Sequence, residues 1–262
     1  ETYYTDTNRT TAVGDNFAGE NIINVGDASG LQAGDEVLII SMQDPNTNLD
    51  QNITGTYETH YIVSINGNAL NLAATLENDY LTSTGAKHQV LRVPNYTNVT
   101  VDGIISCANW DGATGGVIFL RVSDTSTING TMDASGKGFN GGLGGQECSG
   151  YNNQSQCESS NLTCGYGTQG ESVCGIGSEG NYTYNIGGGG GGFNNVNHCL
   201  PANGGGGAYG SNGEDGDEHG INGGSVAGNG GYGGITYGDE FITKLFLGSG
   251  GGGGSADQNE GS

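Results

Sequence analysis

An all-β fold is what this sequence predicts: a small N-terminal β module, then β-solenoid or β-helix-like rungs, then a Gly-rich region of packed, extended segments of polyglycine or polyproline-II-like character. Three observations carry the prediction. Short β-prone runs recur between turn residues, and no apolar spacing of helical period occurs. From Asn98 onward the runs shorten and are split by Asp-Gly or Asn-Gly, the pattern of solenoid rungs. Six glycines then stand in a row from Gly187 to Gly192, with echoes at Gly204–Gly207 and Gly250–Gly254.

The glycine runs need a physical reason. Residues 1–135 hold 13 of the 55 glycines and residues 136–262 hold 42. Glycine loses more backbone freedom on ordering than any other residue. Such runs are therefore either flexible linker or places where backbones approach so closely that no side chain fits. Ile186, Phe193, Ala208, Tyr209, Ile221, Val226, Tyr232, Ile235 and Tyr237 punctuate them, surface that a linker has no reason to carry. The ordered reading follows. Three prolines in all and an unbroken run of six glycines exclude the Gly-X-Y register of collagen.

In chain order, residues 1–13 are β-prone without a clear amphipathic face. They read either as a frayed terminus or as an extended segment that completes a neighbouring subunit's unpaired strand edge, with Tyr3 and Tyr4 docking in pockets. Residues 14–95 read as a small β module. Its strands are expected at 21–25, 36–41, 56–65, 69–72 and 88–93, with Asn66-Gly67 signalling a two-residue hairpin. Residues 96–135 read as rungs, with strands at 98–102, 104–107, 116–122, 126–129 and 131–133. The Gly-rich region, 136–262, includes a further expected strand at Phe241–Leu247.

Composition narrows the setting. Hydrophobic residues make up 33%, too few for a conventional core along the whole chain. The formal charge of −22 repels phosphate backbones and excludes nucleic acid as a natural partner. No apolar run is long enough for a membrane-spanning helix. Starting at Glu1, the chain reads as a mature, processed polypeptide. Its Gly-rich ending reads as the middle of a longer segment.

Cys107, Cys148, Cys157, Cys164, Cys174 and Cys199 are even in number and crowd the core-poor half, where disulfides would be most useful. Zinc is the rival reading, but no CxxC occurs and the four histidines are scattered. Disulfides imply an oxidising, extracellular compartment. Sequons at Asn8, Asn52, Asn95, Asn98, Asn129, Asn153, Asn161 and Asn181 make N-glycosylation a companion expectation, although the abundance of Asn, Ser and Thr supplies several by composition.

Segments 27–43, 93–100, 129–138 and the stretch from Tyr237 to Gly254 resemble a family of large Gly-rich secreted surface proteins of gliding and other environmental bacteria. Those proteins often carry adhesion modules and a C-terminal secretion tag. The resemblance implies location and β-helix-like architecture, and its motifs are structural. No secretion tag stands in this sequence.

Signatures of chemistry are sparse. Matches to G-x-G-x-x-G inside the glycine runs are trivial, and no G-x-S-x-G elbow or HExxH is present. Asp102, Asp111 and Asp133 fall in successive rungs near Lys137. They read either as a stacked acidic site or as turn residues beside glycine. Glu214, Asp215, Asp217 and Glu218 offer Ca2+ four carboxylates in one loop, but they fit no EF-hand spacing, and a solvated acidic loop is the favoured reading. Trp110 could stack on sugar or fill a rung. No catalytic constellation and no other cofactor emerges. The expectation is an extracellular, cell-surface structural or adhesive protein, a self-assembling subunit of a filament, sheath or appendage. A polysaccharide-active β-helix enzyme and a glycan-binding module are the alternatives.

Overall fold

The run Glu36–Gln43 carries no charge after its first residue, so it can be buried on both faces, as the centre of a sheet requires. In the computed structural model all eight of its residues are buried. The strands among the described residues are β1 (Thr2–Tyr4), β2 (Arg9–Thr11), β3 (Asp15–Asn16), β4 (Ile22–Asn24), β5 (Glu36–Gln43), β6 (Tyr57–Asn66), β7 (Ala69–Leu72), β8 (Tyr80–Leu81), β9 (Lys87–Arg92), β10 (Asn95–Val101), β11 (Ile104–Ser106), β12 (Arg121–Ile128) and β13 (Thr131–Asp133). The described residues are 1–145, 166–178, 183–192, 202–217, 230–238, 241 and 243–255. One 3-10 turn at Thr82–Thr84 is their only helical segment, and no helix is long and apolar enough to cross a membrane. The protein is all-β, with solenoid-like rungs.

Two compact units form, Glu1–Gly138 with Ile242–Leu247 and Phe139–Phe241 with Gly248–Ser262. The first contains a six-stranded antiparallel sheet in the spatial order β2-β9-β5-β6-β7-β4. Its principal core gathers Ile23, Val25, Val37, Ile39, Ile62, Leu70, Leu72, Leu76, Tyr80 and Val90. Burying each Val, Leu or Ile contributes about 1.5–3 kcal/mol. The β6–β7 hairpin pairs Asn66 with Ala69, so its two loop residues are Gly67 and Asn68, one place later than the Asn-Gly dipeptide suggests. Gly67 has φ of 60° and Asn68 does not share a positive φ. Glycine therefore serves the first central position, the type II′ arrangement.

After Pro94 the chain coils. β10 pairs parallel with β12 and β11 parallel with β13, at a step of 27 residues from Ile104 to Thr131. The corner between the two strands of each rung is Asp102-Gly103 in one and Asn129-Gly130 in the next. A Cβ at Gly130 would fall on the carbonyl of Gly103, so close stacking dictates glycine there. Arg121 ties β12 to the sheet: its Nε donates to both oxygens of the buried Glu36 carboxylate at 2.9 Å.

The segment 116–122 does not form the strand expected of it. Strand geometry begins only at Arg121, because Gly115 and Gly116 hold φ of 102° and 80°, incompatible with an extended run. Phe241–Leu247 is not a strand either. Ile242 lies outside the described residues, and the segment's tie is Leu245 N–H donating to the Gly55 carbonyl at 2.9 Å.

In the second unit backbone groups replace side chains as the packing surface. Gly189 and Gly192 donate to Gly250 and Gly253, while Gly142 and Gly145 donate to Gly251 and Gly254. Gly167 and Gly170 donate to Gly192 and Gly189, and Gly213 and Gly216 to Gly234 and Gly231. Partners recur every three residues, the period of the polyproline-II helix. Between these positions Gly190 donates to Tyr232 and accepts from Gly205. The run 187–192 is thus bonded to several extended neighbours at once, which a flat strand cannot achieve. Added Cβ atoms at Gly189, Gly231 and Gly252 would all land on backbone carbonyls.

Candidate functional site

Position along the solenoid decides which inward side chains are covered. In the middle rung Val101 is 7% and Ile105 6% exposed. One rung later their register partners Ile128 and Met132 are 46% and 48% exposed, and one rung earlier Tyr3, paired with Ile105, is 49% exposed. A solenoid rung buries its apolar file against its neighbours, and among the described residues that file is left half-exposed at both ends of this short stack.

The earlier end is the more structured. β1 runs parallel to β11, Thr2 beside Ile104, as if it were the second strand of a preceding rung. Ile104 N–H donates to the Glu1 carbonyl at 3.1 Å, just as Thr131 N–H donates to Gly103 at 3.0 Å. Glu1 therefore sits at the corner above Gly103 and Gly130. Among the described residues no strand lies beside β10 on the side away from β12. The gap is a groove of about 560 Å³ whose walls include Thr2, Tyr3, Tyr96, Val99, Val101 and Ile105. Tyr96 hydroxyl donates to Tyr3 hydroxyl at 3.2 Å across it. That bond, then burial and the proximity of the Tyr3 hydroxyl, push Tyr96 up to about 12.

Residues 1–13 are thus paired within their own chain, β1 on β11 and β2 on β9. Tyr3 and Tyr4 are exposed on β1.

The acidic file resolves into turn chemistry. Asp102 accepts from Asn129 Nδ2 at 2.9 Å, Asp111 from the amides of Ala113 and Thr114, and Asp133 from the amide of Ser135. Lys137 Nζ donates to Asn109 Oδ1 instead of joining them. Trp110 is buried, with the Lys87 ammonium 5.6 Å from its ring centre.

Of the cysteines, Cys107 is a free, fully buried thiol following β11. Burial and then the Asp6 carboxylate push it up to about 11, the signature of an inert core thiol. Cys174 is half-buried, its amide donating to Ser172 Oγ. Cys148, Cys157, Cys164 and Cys199 lie outside the described residues. So do the sequons at Asn153, Asn161 and Asn181.

Among the remaining sequons, Asn95, Asn98 and Asn129 are exposed and Asn8 is half-buried. Asn52 is buried, its Nδ2 donating to the carbonyls of Asp44 and Asn46, which leaves no room for a glycan. Glu214, Asp215 and Asp217 are exposed, and Glu218 lies outside the described residues. Asp215 accepts from the Gly233 amide, and no three His, Cys, Asp or Glu side chains converge on a metal position among the described residues.

Two buried pairs escaped sequence reasoning: one joins β5 to β9 through sheet register, and the other stands two residues apart on one face of β6. Ser41 Oγ lies 3.0 Å from His88 Nδ1, and burial lowers the His88 pKa. Glu58 meets His60 Nε2 and accepts the amides of Glu77 and Asn78. Burial alone would raise the Glu58 carboxyl, but these hydrogen bonds bring it below its ordinary value. Both pairs lie in the sheet away from the groove lining and serve as internal polar ties.

No family model matches the chain, and no curated protein matches it. Among solved structures it is similar to phage tailspikes. The Gp54 tailspike of Acinetobacter baumannii bacteriophage AP22, solved with a capsular saccharide, shares 20% identity over 37% of this chain and 16% of its own, at a TM-score of 0.27. The gp49 tailspike of Pseudomonas phage LKA1 shares 16% identity over 41% and 22%, with a TM-score of 0.28. The gp61 tailspike of Pseudomonas phage phi297 shares 16% over 46% and 17%, also at 0.28. This chain spans less than a quarter of each. The fold assignment rests on the strand ladders themselves.

Proposed function

We propose that the protein is a structural and adhesive component of an extracellular surface assembly, a subunit of a filament, sheath or appendage joined to its neighbours by strand addition. The observation that carries this reading is that, among the described residues, files buried in the middle rung are half-exposed in the rungs on either side. Strand addition satisfies such ends through main-chain hydrogen bonds and needs little apolar interface. The Gly-rich unit supports the same role, since a backbone-bonded array gives order without a large side-chain core. Resemblance to Gly-rich bacterial surface proteins agrees with it.

Immunogold electron microscopy of native surface material tests the proposal. Label regularly spaced along filaments or sheath is expected; label confined to soluble, unassembled material would refute it. Glycan binding is the second reading, favoured by Tyr3 and Tyr96 in the groove wall, since aromatic rings stack on sugars. Release of reducing ends from polysaccharides by the purified protein would move the assignment to the enzyme class.

A further inference from the structure

Five sequons fall on described residues, and all five end in threonine: Asn8-Arg9-Thr10, Asn52-Ile53-Thr54, Asn95-Tyr96-Thr97, Asn98-Val99-Thr100 and Asn129-Gly130-Thr131. We infer that Asn98 and Asn129 are the N-glycan attachment sites among them, and that Asn8, Asn52 and Asn95 stay bare. This modification stands independently of the assembly proposed above.

The chemistry sets two conditions. A carboxamide nitrogen carries two hydrogens. N-glycosylation replaces one of them. A bond forms from Nδ2 to the anomeric carbon of the first sugar, and the bond from that carbon to the diphosphate of a lipid-linked oligosaccharide donor breaks. The displaced proton passes to the transferase, and one N–H remains on the linked nitrogen. A site therefore fits the folded chain when its side chain is open to solvent and Nδ2 has a hydrogen that the fold does not use.

Three sites fail. Asn52 is buried, and its Nδ2 donates to the carbonyls of both Asp44 and Asn46. Asn95 is exposed, but both of its hydrogens are in use: Nδ2 donates to Glu36 Oε2 at 2.9 Å and to the Val93 carbonyl at 3.1 Å. Glu36 is the buried carboxylate that holds Arg121, so a sugar on Asn95 would strip a partner from that tie. Asn8 is half-buried in a recess beside Arg9 and Asp27, and its sequon threonine, Thr10, is buried with its hydroxyl accepting the Asp27 amide.

Asn98 and Asn129 meet both conditions. The Thr125 amide donates to Asn98 Oδ1 at 3.1 Å, which fixes the carbonyl on β12 and leaves both Nδ2 hydrogens without a partner. Asn129 Nδ2 gives one hydrogen to Asp102 Oδ1 at 2.9 Å and keeps the other. Both side chains are exposed. So are Thr100 and Thr131, whose hydroxyls make no hydrogen bond in the folded chain and serve no packing role. Asn98 stands on β10 and Asn129 just after β12, so two sugars would clothe the exposed face of that ladder with bulky, soluble groups.

Site-resolved mass spectrometry of the full chain, isolated from its native source and digested, tests the assignment. Electron-transfer fragmentation separates Asn95 from Asn98. Sugar is expected on Asn98 and Asn129, and none on Asn8, Asn52 or Asn95. Thr100→Val and Thr131→Val, made in the same host, each break one sequon and leave its asparagine in place. Each should lose the mass of one glycan from the intact protein, while Thr97→Val should lose none. If a variant does not fold, the peptides of the natural chain still decide. A bare asparagine at 98 or 129, or sugar on Asn8, Asn52 or Asn95, overturns the inference. Sugar confined to serine and threonine hydroxyls would overturn it in favour of O-linkage. Filament label on subunits bare at both positions would sink this inference and leave the proposed function standing.

Discussion

The antiparallel sheet of the first unit and the glycine array of the second solve the same problem by opposite means. In the sheet, side chains such as Val37, Ile39 and Leu70 leave water together and the backbone ladder follows. In the array, Gly189, Gly192, Gly250 and Gly253 have nothing to bury, and their amides and carbonyls bond to several neighbours at a three-residue period. The difference teaches that low hydrophobicity is no bar to order when backbones can touch. The same contact makes the array intolerant of the smallest side chain, while the sheet tolerates change in proportion to the volume lost.

Substitutions sharpen that contrast. Gly231→Ala should have the largest effect, because its methyl would occupy the Gly190 carbonyl and neither backbone can move alone. Its cost should exceed the ~1–3 kcal/mol of ordinary overpacking, read by urea denaturation as loss of the array's transition. Leu70→Ala in the sheet should cost about 2–5 kcal/mol by the same measurement, with the array's signal unchanged. A milder effect on the replacement in the array than in the sheet would break the comparison.

Proton linkage should mark the sheet as the pH-sensitive partner. His88 is buried and its pKa is lowered, so the unfolded state binds protons more readily. Its contribution is present above the ordinary value of 6.5 and is lost as pH falls below it toward the folded pKa. Glu58 and Glu36, both held below 4.5, add a second loss at lower pH as they are protonated. Thermal unfolding followed from pH 7.5 to 4 should show a falling Tm for the sheet. His88→Gln should flatten the upper part of that slope. The smallest effect is expected at Gly210, which has open space around the Cβ position and no positive φ. Gly210→Ala should be neutral or stabilise by up to about 1 kcal/mol.

Much of the sheet was legible because alternation and turn chemistry act locally. Ala69–Leu72 forms as expected, since its apolar residues alternate after a glycine-led turn. The two-residue strands β3 and β8 were not legible, being fixed by register with one another and not by their own composition. At 116–122 the β-branched run misleads, because the segment opens on Gly116, which like Gly115 before it holds a positive φ. The rungs at 104–106 and 131–133 were readable from the repeated Asp-Gly and Asn-Gly corners. The groove was not. It exists because Thr2 meets Ile104, a pairing across a hundred residues that no local pattern announces. Cys107 was assigned to a disulfide by counting, and only burial shows its thiol to be a core side chain.

Hydrogen–deuterium exchange read at single amides tests the account's central claim most directly, that backbone pairing orders the glycine array. Protection is expected at Gly142, Gly145, Gly189, Gly192, Gly213 and Gly216, whose amides are bonded to other extended segments. The amide of Gly210, which donates no such bond, should exchange fast. Uniformly fast exchange through 187–192, 204–207 and 250–254 would contradict the claim.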